Sequence, residues 1–254
     1  FPYTTLFRSE LTKLLCGRGA AAVLRSFADV LEGLIPELVP MFGFDQRNPH
    51  HDRDVWEHTI AVVGHPPPEP VLRWAALFHD MGKPSCFSLT EDGVGHFFGH
   101  AEQGAVMTER ILDRLRFDRD GRERIARLVR YHDMPLTADR KRIKRLLSKH
   151  GVEAARPLIG LHRADTLGQS AVCKPRLAVF DTMDAIVEEI LREEACFSLK
   201  DLAVNGTDML ALGFRGREIG AVLQKCLDAV LDERAANDRE ELLSFARAER
   251  TAAK

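Results

Sequence analysis

The sequence predicts an all-α protein assembled from many helices, and three observations carry that prediction. Apolar residues recur repeatedly at the 3.6-residue period of a helix. Gly and Pro cluster between these stripes rather than inside them. The strand-like signal is confined to a turn around Asp92-Gly93, enough for a small hairpin. No internal repeat, heptad series or low-complexity tract appears.

Phe1-Pro2-Tyr3-Thr4-Thr5-Leu6-Phe7-Arg8-Ser9 reads as the in-frame translation of a sequencing adapter (TTT CCC TAC ACG ACG CTC TTC CGA TCT). It is therefore set apart from fold reasoning, expected to be weakly anchored and to stand where a true N-terminus is missing. The alternative is a genuine aromatic arm packed on the body. From Glu10 to about Leu38 the pattern is helical, broken at Gly17 and Gly19 and ended by Pro36 and Pro40; Val23, Leu24, Phe27, Leu31 and Leu34 form one stripe. Asn48-Pro49-His50-His51 is a polar loop with turn chemistry. A helix over 54–63 carries His58 and stops at Gly64-His65-Pro66-Pro67-Pro68. The next, over about 70–80, has Val71, Leu72, Ala75, Ala76 and His79 on one side and is stopped by Gly82 and Pro84. Helices follow at about 101–115, with Ala105, Thr108, Ile111, Leu112 and Leu115 on one face, then at 120–132, 138–149 and 152–167. A long helix over 172–195 bears Leu177, Phe180, Met183, Ile186, Val187 and Ile190. Ser198 reads as a helix cap, Asn205-Gly206-Thr207-Asp208 as a turn into a short helix, and Ile219, Val222, Leu223, Cys226, Leu227, Val230 and Leu231 as the cleanest stripe in the chain.

With 254 residues the chain holds one large or two to three small domains. At 45% hydrophobic and 29% charged it has an ordinary globular composition. Its formal net charge of -2 gives no global field for nucleic acid, but charge is segregated. Positions 110–149 carry 14 Lys/Arg against 6 Asp/Glu, and positions 181–254 carry 10 against 16. Five scattered cysteines (Cys16, Cys86, Cys173, Cys196, Cys226) form no CxxC pair, which suits a reducing cytoplasm. None looks nucleophilic, and Cys226 belongs to an apolar stripe. No apolar run approaches the roughly 18 residues of a membrane span, and no signal peptide is evident.

Histidine and aspartate punctuate these helices in a fixed order. His58 lies in Val55-Trp56-Glu57-His58-Thr59, and His79-Asp80 in Leu77-Phe78-His79-Asp80-Met81-Gly82-Lys83-Pro84. His100 follows in Phe98-Gly99-His100-Ala101-Glu102, His132-Asp133 in Val129-Arg130-Tyr131-His132-Asp133, and Asp165 in His162-Arg163-Ala164-Asp165. A lone His-Asp pair is weak, but this ordered series resembles the HD-domain metal-dependent phosphohydrolases. The surrounding words, Leu11-Thr12-Lys13-Leu14-Leu15, Ile35-Pro36-Glu37-Leu38, Leu202-Ala203-Val204-Asn205-Gly206 and Glu218-Ile219-Gly220, resemble the bacterial CCA-adding enzymes of the tRNA nucleotidyltransferase/poly(A) polymerase family. The likeness covers about positions 10–250. It implies the end of an RNA-binding linker domain at 10–44, an HD phosphohydrolase domain at 45–170 and a C-terminal helical tRNA-contacting module at 171–254.

The resemblance further implies a site. His58, His79, Asp80 and Asp165 are the expected ligands of one divalent ion, and His100 and His132 complete a second site with Asp80 as bridge. Imidazole and carboxylate together suit Mn, Fe, Co, Ni or Zn and tolerate Mg. His79, Asp80 and Lys83 are the expected catalytic residues, Lys83 as a point charge for phosphate. Asp133 is either a ligand or a hydrogen-bond partner of a ligand histidine. His96, in Gly95-His96-Phe97-Phe98-Gly99, is a candidate for the pocket edge, whereas His50, His51, His65 and His150 read as surface or capping residues. His162 shares a helix face with Asp165, but reads as solvated or supporting rather than ligating. Arg140, Lys141, Arg142, Lys144 and Arg145, with Lys149, form a basic block that either binds tRNA phosphates or is simply a solvated helix face. The family's nucleotidyltransferase head carries a Gly-Gly turn and an Asp-x-Asp pair. Gly-Gly is absent, and His51-Asp52-Arg53-Asp54 has the acidic spacing only in a polar loop, so the printed chain is not expected to add CCA. The expected activity is hydrolysis of phosphoesters such as 2′,3′-cyclic phosphates. The alternatives are an RNA-binding scaffold with an idle site and a stand-alone nucleotide phosphohydrolase.

Overall fold

In a computed structural model, residues 4–193 and 196–252 are described, and thirteen α-helices among them carry nearly all regular structure. Positions 1–3 of the adapter-like stretch and 194–195 of the helix expected over 172–195 lie outside the described residues. The helices are α1 (Thr4–Cys16), α2 (Ala20–Ser26), α3 (Ala28–Leu34), α4 (Val55–Gly64), α5 (Pro70–Phe78), α6 (His100–Arg114) and α7 (Arg119–Tyr131). Then come α8 (Arg140–His150), α9 (Val152–Gly168), α10 (Leu177–Arg192), α11 (Gly206–Ala211), α12 (Arg217–Leu231) and α13 (Arg239–Ala252). The hairpin signal resolves into two residue pairs, β1 (Ser88–Leu89) antiparallel to β2 (Gly95–His96). Contacts divide the chain into one unit of residues 1–136 with 156–180, and a second of 137–155 with 181–254.

In the first unit α5 is the central element. The expected one-sided stripe is corrected here: every residue from Leu72 to Phe78 is buried, the pattern of a helix enclosed on all sides. Even Arg73 is enclosed, and its guanidinium donates to the Val63 carbonyl in the last turn of α4 and to the Pro67 carbonyl in the loop that follows. Trp74 donates its indole N–H to Thr12 Oγ1 at 3.0 Å, tying α1 to α5. Thr4–Ser9 form the opening turns of α1, with the Arg8 guanidinium over the Phe117 ring. The helix expected before Pro36 is split, because Phe27 leaves helical geometry at φ -123° and ψ 35°. Leu24 and Leu31 are core, while Val23 is half-buried, Phe27 is 54% exposed and Leu34 also faces out, so only two of that stripe's five residues are buried. Asp54 caps α4 by accepting from the Glu57 N–H at 2.8 Å. β2 is fastened to the loop before α4, where Gly95 N–H donates to the Arg47 carbonyl at 2.8 Å. A Cβ on Gly95 would lie 2.1 Å from the Gln46 carbonyl oxygen, so only glycine permits that approach.

The second unit is built on α12, whose Val222, Cys226, Leu227, Val230 and Leu231 are buried with Met209, Leu242 and Ala246. Ser198 and Asp201 cap a short 3-10 turn reciprocally, and Asn205 and Asp208 do the same for α11. Residues 171–176 form a 3-10 turn ahead of α10, which shortens the helix expected from 172. α13 is an addition to the expected elements. Its signal was available, since Asp238 accepts from the N–H groups of Glu240 and Glu241 just before Leu242 and Ala246.

Candidate metal centre

Five elements of the first unit end at, or pass, one point. α4 brings His58, the C-terminus of α5 brings His79 and Asp80, the first turn of α6 brings His100, the end of α7 brings His132, and α9 brings Asp165. Ligand atoms of His58, His79 and Asp165 all lie within 4.8 Å of one another, and so do those of Asp80, His100 and His132. Asp80 joins the two groups. Its Oδ2 is 3.4 Å from His58 Nε2 and 3.2 Å from His79 Nε2, while its Oδ1 is 3.6 Å from His100 Nε2 and 3.5 Å from His132 Nε2. Asp165 Oδ1 lies 2.9 Å from His58 Nε2. All six expected ligands therefore converge.

The hydrogen bonding behind the imidazoles fixes which nitrogen faces inward. Nδ1–H donates to a backbone carbonyl three residues earlier in three cases: His79 to Ala76 (2.8 Å), His100 to Phe97 (2.8 Å) and His132 to Val129 (2.7 Å). Each Nε2 is then a bare lone pair. Yet, whereas His58 has no partner at Nδ1 and is free to carry its proton on the Nε2 that lies 3.3 Å from His79 Nε2, the Nε2 atoms of His100 and His132 stand 3.1 Å apart. Two acceptors facing at that distance repel unless a cation or a proton lies between them. Burial opposes the proton, for it pushes the His100 imidazole below its ordinary range, against the pull of Asp80. Burial would also raise the Asp80 and Asp165 carboxyls. Lys83 beside Asp80 and the hydrogen bond from His58 to Asp165 reverse that and keep both carboxylates ionised. Bare imidazoles and ionised carboxylates are the donor set a divalent cation requires, so the residues present fit one.

Lys83 lies on the same wall, 5% exposed, with Nζ 2.7 Å from Asp80 Oδ2 and donating to Gln46 Oε1 at 2.8 Å. A cavity of about 270 Å³ opens over the cluster, reached by Asp80, Lys83, His96, His100, His132 and Asp165. Asp133 also lines it, but the Val129 carbonyl, not Asp133, holds His132 Nδ1. His162 is buried with Nε2 against the Tyr131 carbonyl at 3.3 Å and stands outside both ligand groups.

Three features of the site, at His51, Gln46 and Gly168, lie beyond the expectations. His51, read as a surface or capping residue, instead lines the cavity, its ring 4.9 Å from that of His58 and Nε2 3.4 Å from Lys83 Nζ. Burial, with Lys83 beside it, pushes its imidazole down to about 3. His150, in the second unit and not at the site, is also corrected from a surface or capping residue to a buried one. Gln46, 1% exposed, orients Lys83 and is itself held by donating to the Arg53 carbonyl at 3.1 Å. Gly168 passes the His58 ring so closely that a Cβ would meet Nδ1 at 3.2 Å. No local word marks these residues; tertiary closure alone brings them in.

The basic block sits on α8, in the second unit, and most of it is already paired. Arg140 meets Glu189 and Glu193, Lys141 meets Glu233 at 3.1 Å, and Arg145 meets Asp232. Arg142 is exposed, and Lys144 is half-buried.

Residues 54–170 match the family model described as the HD domain. The chain is 33% identical over 92% of its length to a CC-adding tRNA nucleotidyltransferase of Thermus thermophilus, covering 54% of that protein. It is 30% identical over 90% of its length to an A-adding tRNA nucleotidyltransferase of Deinococcus radiodurans, covering 55% of it. A Multifunctional CCA protein of Azoarcus sp. is 31% identical over 48% of the chain. The chain thus spans about half the length of the first two relatives. No helix among the described residues is long and apolar enough to cross a membrane. Residues 54–170 thus form an HD domain, and the chain is homologous to CC-adding and A-adding tRNA nucleotidyltransferases over about nine-tenths of its own length.

Proposed function

We propose that the HD domain is a divalent-metal-dependent phosphohydrolase acting on phosphoesters such as 2′,3′-cyclic phosphates. We also propose that it serves a tRNA-end-processing enzyme of the cytoplasm whose whole form transfers nucleotides to tRNA. The observation that carries the reading is the facing Nε2 lone pairs of His100 and His132, with Asp80 reaching both of these rings and those of His58 and His79. His58, His79, Asp80 and Asp165 would hold one ion, and Asp80, His100 and His132 a second. Such ions, when bound, neutralise phosphate charge and lower the pKa of a coordinated water. The chain's own residues do the rest. Backbone carbonyls lock three imidazoles in one tautomer, Lys83 keeps Asp80 charged, and its ammonium supplies a fixed cation at the cavity wall for a phosphate oxygen.

Metal analysis coupled to bis-p-nitrophenyl phosphate hydrolysis tests this. Because Asp80 touches both ligand groups, Asp80→Ala is expected to lose both ions and at least about 100-fold in turnover. Equal turnover by variant and wild type would remove the cluster as catalyst. Bound metal with no hydrolysis by wild type would make the domain an RNA-binding scaffold with an idle site.

A further inference from the structure

We propose that Gln169 and Lys174 are the residues that position Asp165 for a divalent ion. Gln169 fixes which carboxylate oxygen faces the cluster, and Lys174 clamps the helix end that carries it. The proposal rests on the reading of the cluster as a metal centre and assigns the control of one of its ligands.

Asp165 occupies an unpromising place for a ligand. It lies three residues before the end of α9 at Gly168, in the turn whose carbonyls have no donors within the helix and which frays when unsupported. In this chain all four of those carbonyls are taken. The Asp165 carbonyl accepts from Gln169 N–H at 3.0 Å, and the Gly168 carbonyl accepts from the Arg53 guanidinium at 2.7 Å. Lys174 takes the two between them, its Nζ donating to Thr166 at 3.1 Å and to Leu167 at 2.5 Å. Its remaining N–H goes to the Gln169 carbonyl at 3.0 Å. An ammonium has three donors, so Lys174 is wholly committed to this turn, at the helix end that favours a cation.

The side chain is held as closely as the backbone. Gln169 Nε2 donates to Asp165 Oδ2 at 3.0 Å, an amide orientation fixed by chemistry because a carboxylate can only accept. With Oδ2 engaged there, Oδ1 is the oxygen turned to His58 Nε2, 2.9 Å away. Arg53 immediately precedes Asp54, the cap of α4, so its contact joins the end of one ligand-bearing helix to the start of another. Ser170 adds two bonds to the same loop, from N–H to the His50 carbonyl at 3.0 Å and from Oγ to the Pro49 carbonyl at 3.1 Å. Lys174 thus holds Gln169, and Gln169 holds Asp165. Hydrogen bonds of this kind, made behind a ligand, change metal affinity by about 10–100-fold.

Calorimetric titration of the metal-free chain with Mn²⁺ alone, paired with denaturant unfolding of the same metal-free proteins, tests this without turnover. Gln169→Leu removes the amide donor at a half-buried position, Lys174→Met removes the clamp, and Lys174→Arg keeps a cation with several donors. Gln169→Leu and Lys174→Met are each expected to weaken at least one Mn²⁺ binding step about tenfold or more, with Lys174→Arg recovering most of the loss. Metal-free Gln169→Leu should unfold at the wild-type midpoint, a split that a merely structural residue does not give. Wild-type affinity in every step for Gln169→Leu overturns the proposal and leaves the metal centre standing. So does a loss of affinity matched by an equal loss of metal-free stability. No Mn²⁺ binding by wild type refutes the metal-centre reading itself, and the proposal falls with it. If Lys174→Met does not fold, Gln169→Leu decides alone.

Discussion

A buried imidazole can turn Nε2 toward a carboxylate cluster or stay neutral and donate to a carbonyl, and both arrangements meet α9, at Asp165 and at His162. The ligand histidines turn Nε2 toward the shared carboxylates, whereas His162, three residues before Asp165, gives Nε2–H to the Tyr131 carbonyl. Burial first, and the neighbouring His132 second, push its pKa down to about 4. An unfolded imidazole titrates near 6.5, so between about 6.5 and 4 the unfolded chain binds a proton that the native state refuses. The sign follows: this contribution is fully present above 6.5 and is lost as pH falls toward 4. Its size is on the order of 2–3 kcal/mol. His162→Gln keeps an N–H donor for Tyr131 and removes the titration. The fall in unfolding free energy between pH 7 and 4.5 should therefore be shallower in the variant, by up to that amount. The cluster titrates in both proteins and cancels in the difference, so parallel curves would refute a neutral buried His162.

At the scale of elements, the turn bearing His79 and Asp80 reaches its place only because α6 is approached without a side chain in between. A Cβ on Gly82 would stand 2.2 Å from the His100 carbonyl oxygen and 2.9 Å from Gly104 N, both backbone atoms that cannot step aside. Gly82→Ala should destabilise the protein by roughly 2–4 kcal/mol and pull the two ligand-bearing elements apart. Gly104→Ala is the control on the opposite wall. Its Cβ would meet a Val129 methyl at 3.4 Å, Gly82 N at 3.5 Å and the His79 carbonyl oxygen at 3.6 Å, all ordinary van der Waals contacts, and alanine is the better helix former by about 1 kcal/mol, so denaturant midpoints should barely move. Equal effects would show that close approach at Gly82 is not what seats the turn. The two glycines also mark where sequence reading stops. Helices whose burial matches a single 3.6-residue stripe, such as α6 and α12, were legible because one face alone meets a core. α5 was misread because an enclosed helix has no exposed face to define a stripe, and the α2–α3 break was missed because Phe27 is apolar without being buried. Among site residues, His58, His79, Asp80, His100, His132 and Asp165 were legible as an ordered series of unusual ligand types at helix ends. His51, Gln46 and Gln169 were not, since each is a single polar residue whose role depends on what lies across the fold.

Over the whole molecule, the charge segregation of the sequence is largely spent inside the fold. The acidic stretch 181–254 supplies Glu189, Glu193, Asp232 and Glu233, and these meet Arg140, Lys141 and Arg145 within the second unit. A basic block that looks like a phosphate tracker thus presents far less free charge than its composition implies. Exposed ion pairs of this kind contribute little stability each, but a paired guanidinium must break its partner contact before meeting a phosphate. Arg142 stands exposed, with its backbone N–H committed to the Asp139 cap of α8, leaving the side chain to solvent. If α8 contacts tRNA, Arg142 should carry more of that contact than Arg145. Arg142→Glu is expected to weaken tRNA binding several-fold and to lower the slope of log affinity against log salt by about 1. Arg145→Glu is expected to do less, because Asp232 already neutralises the arginine it replaces. Filter binding from 50 to 200 mM salt checks the ranking. An equal loss for both variants would mean the ion pairs open on binding, and no loss for Arg142→Glu would place the tRNA contact on another surface.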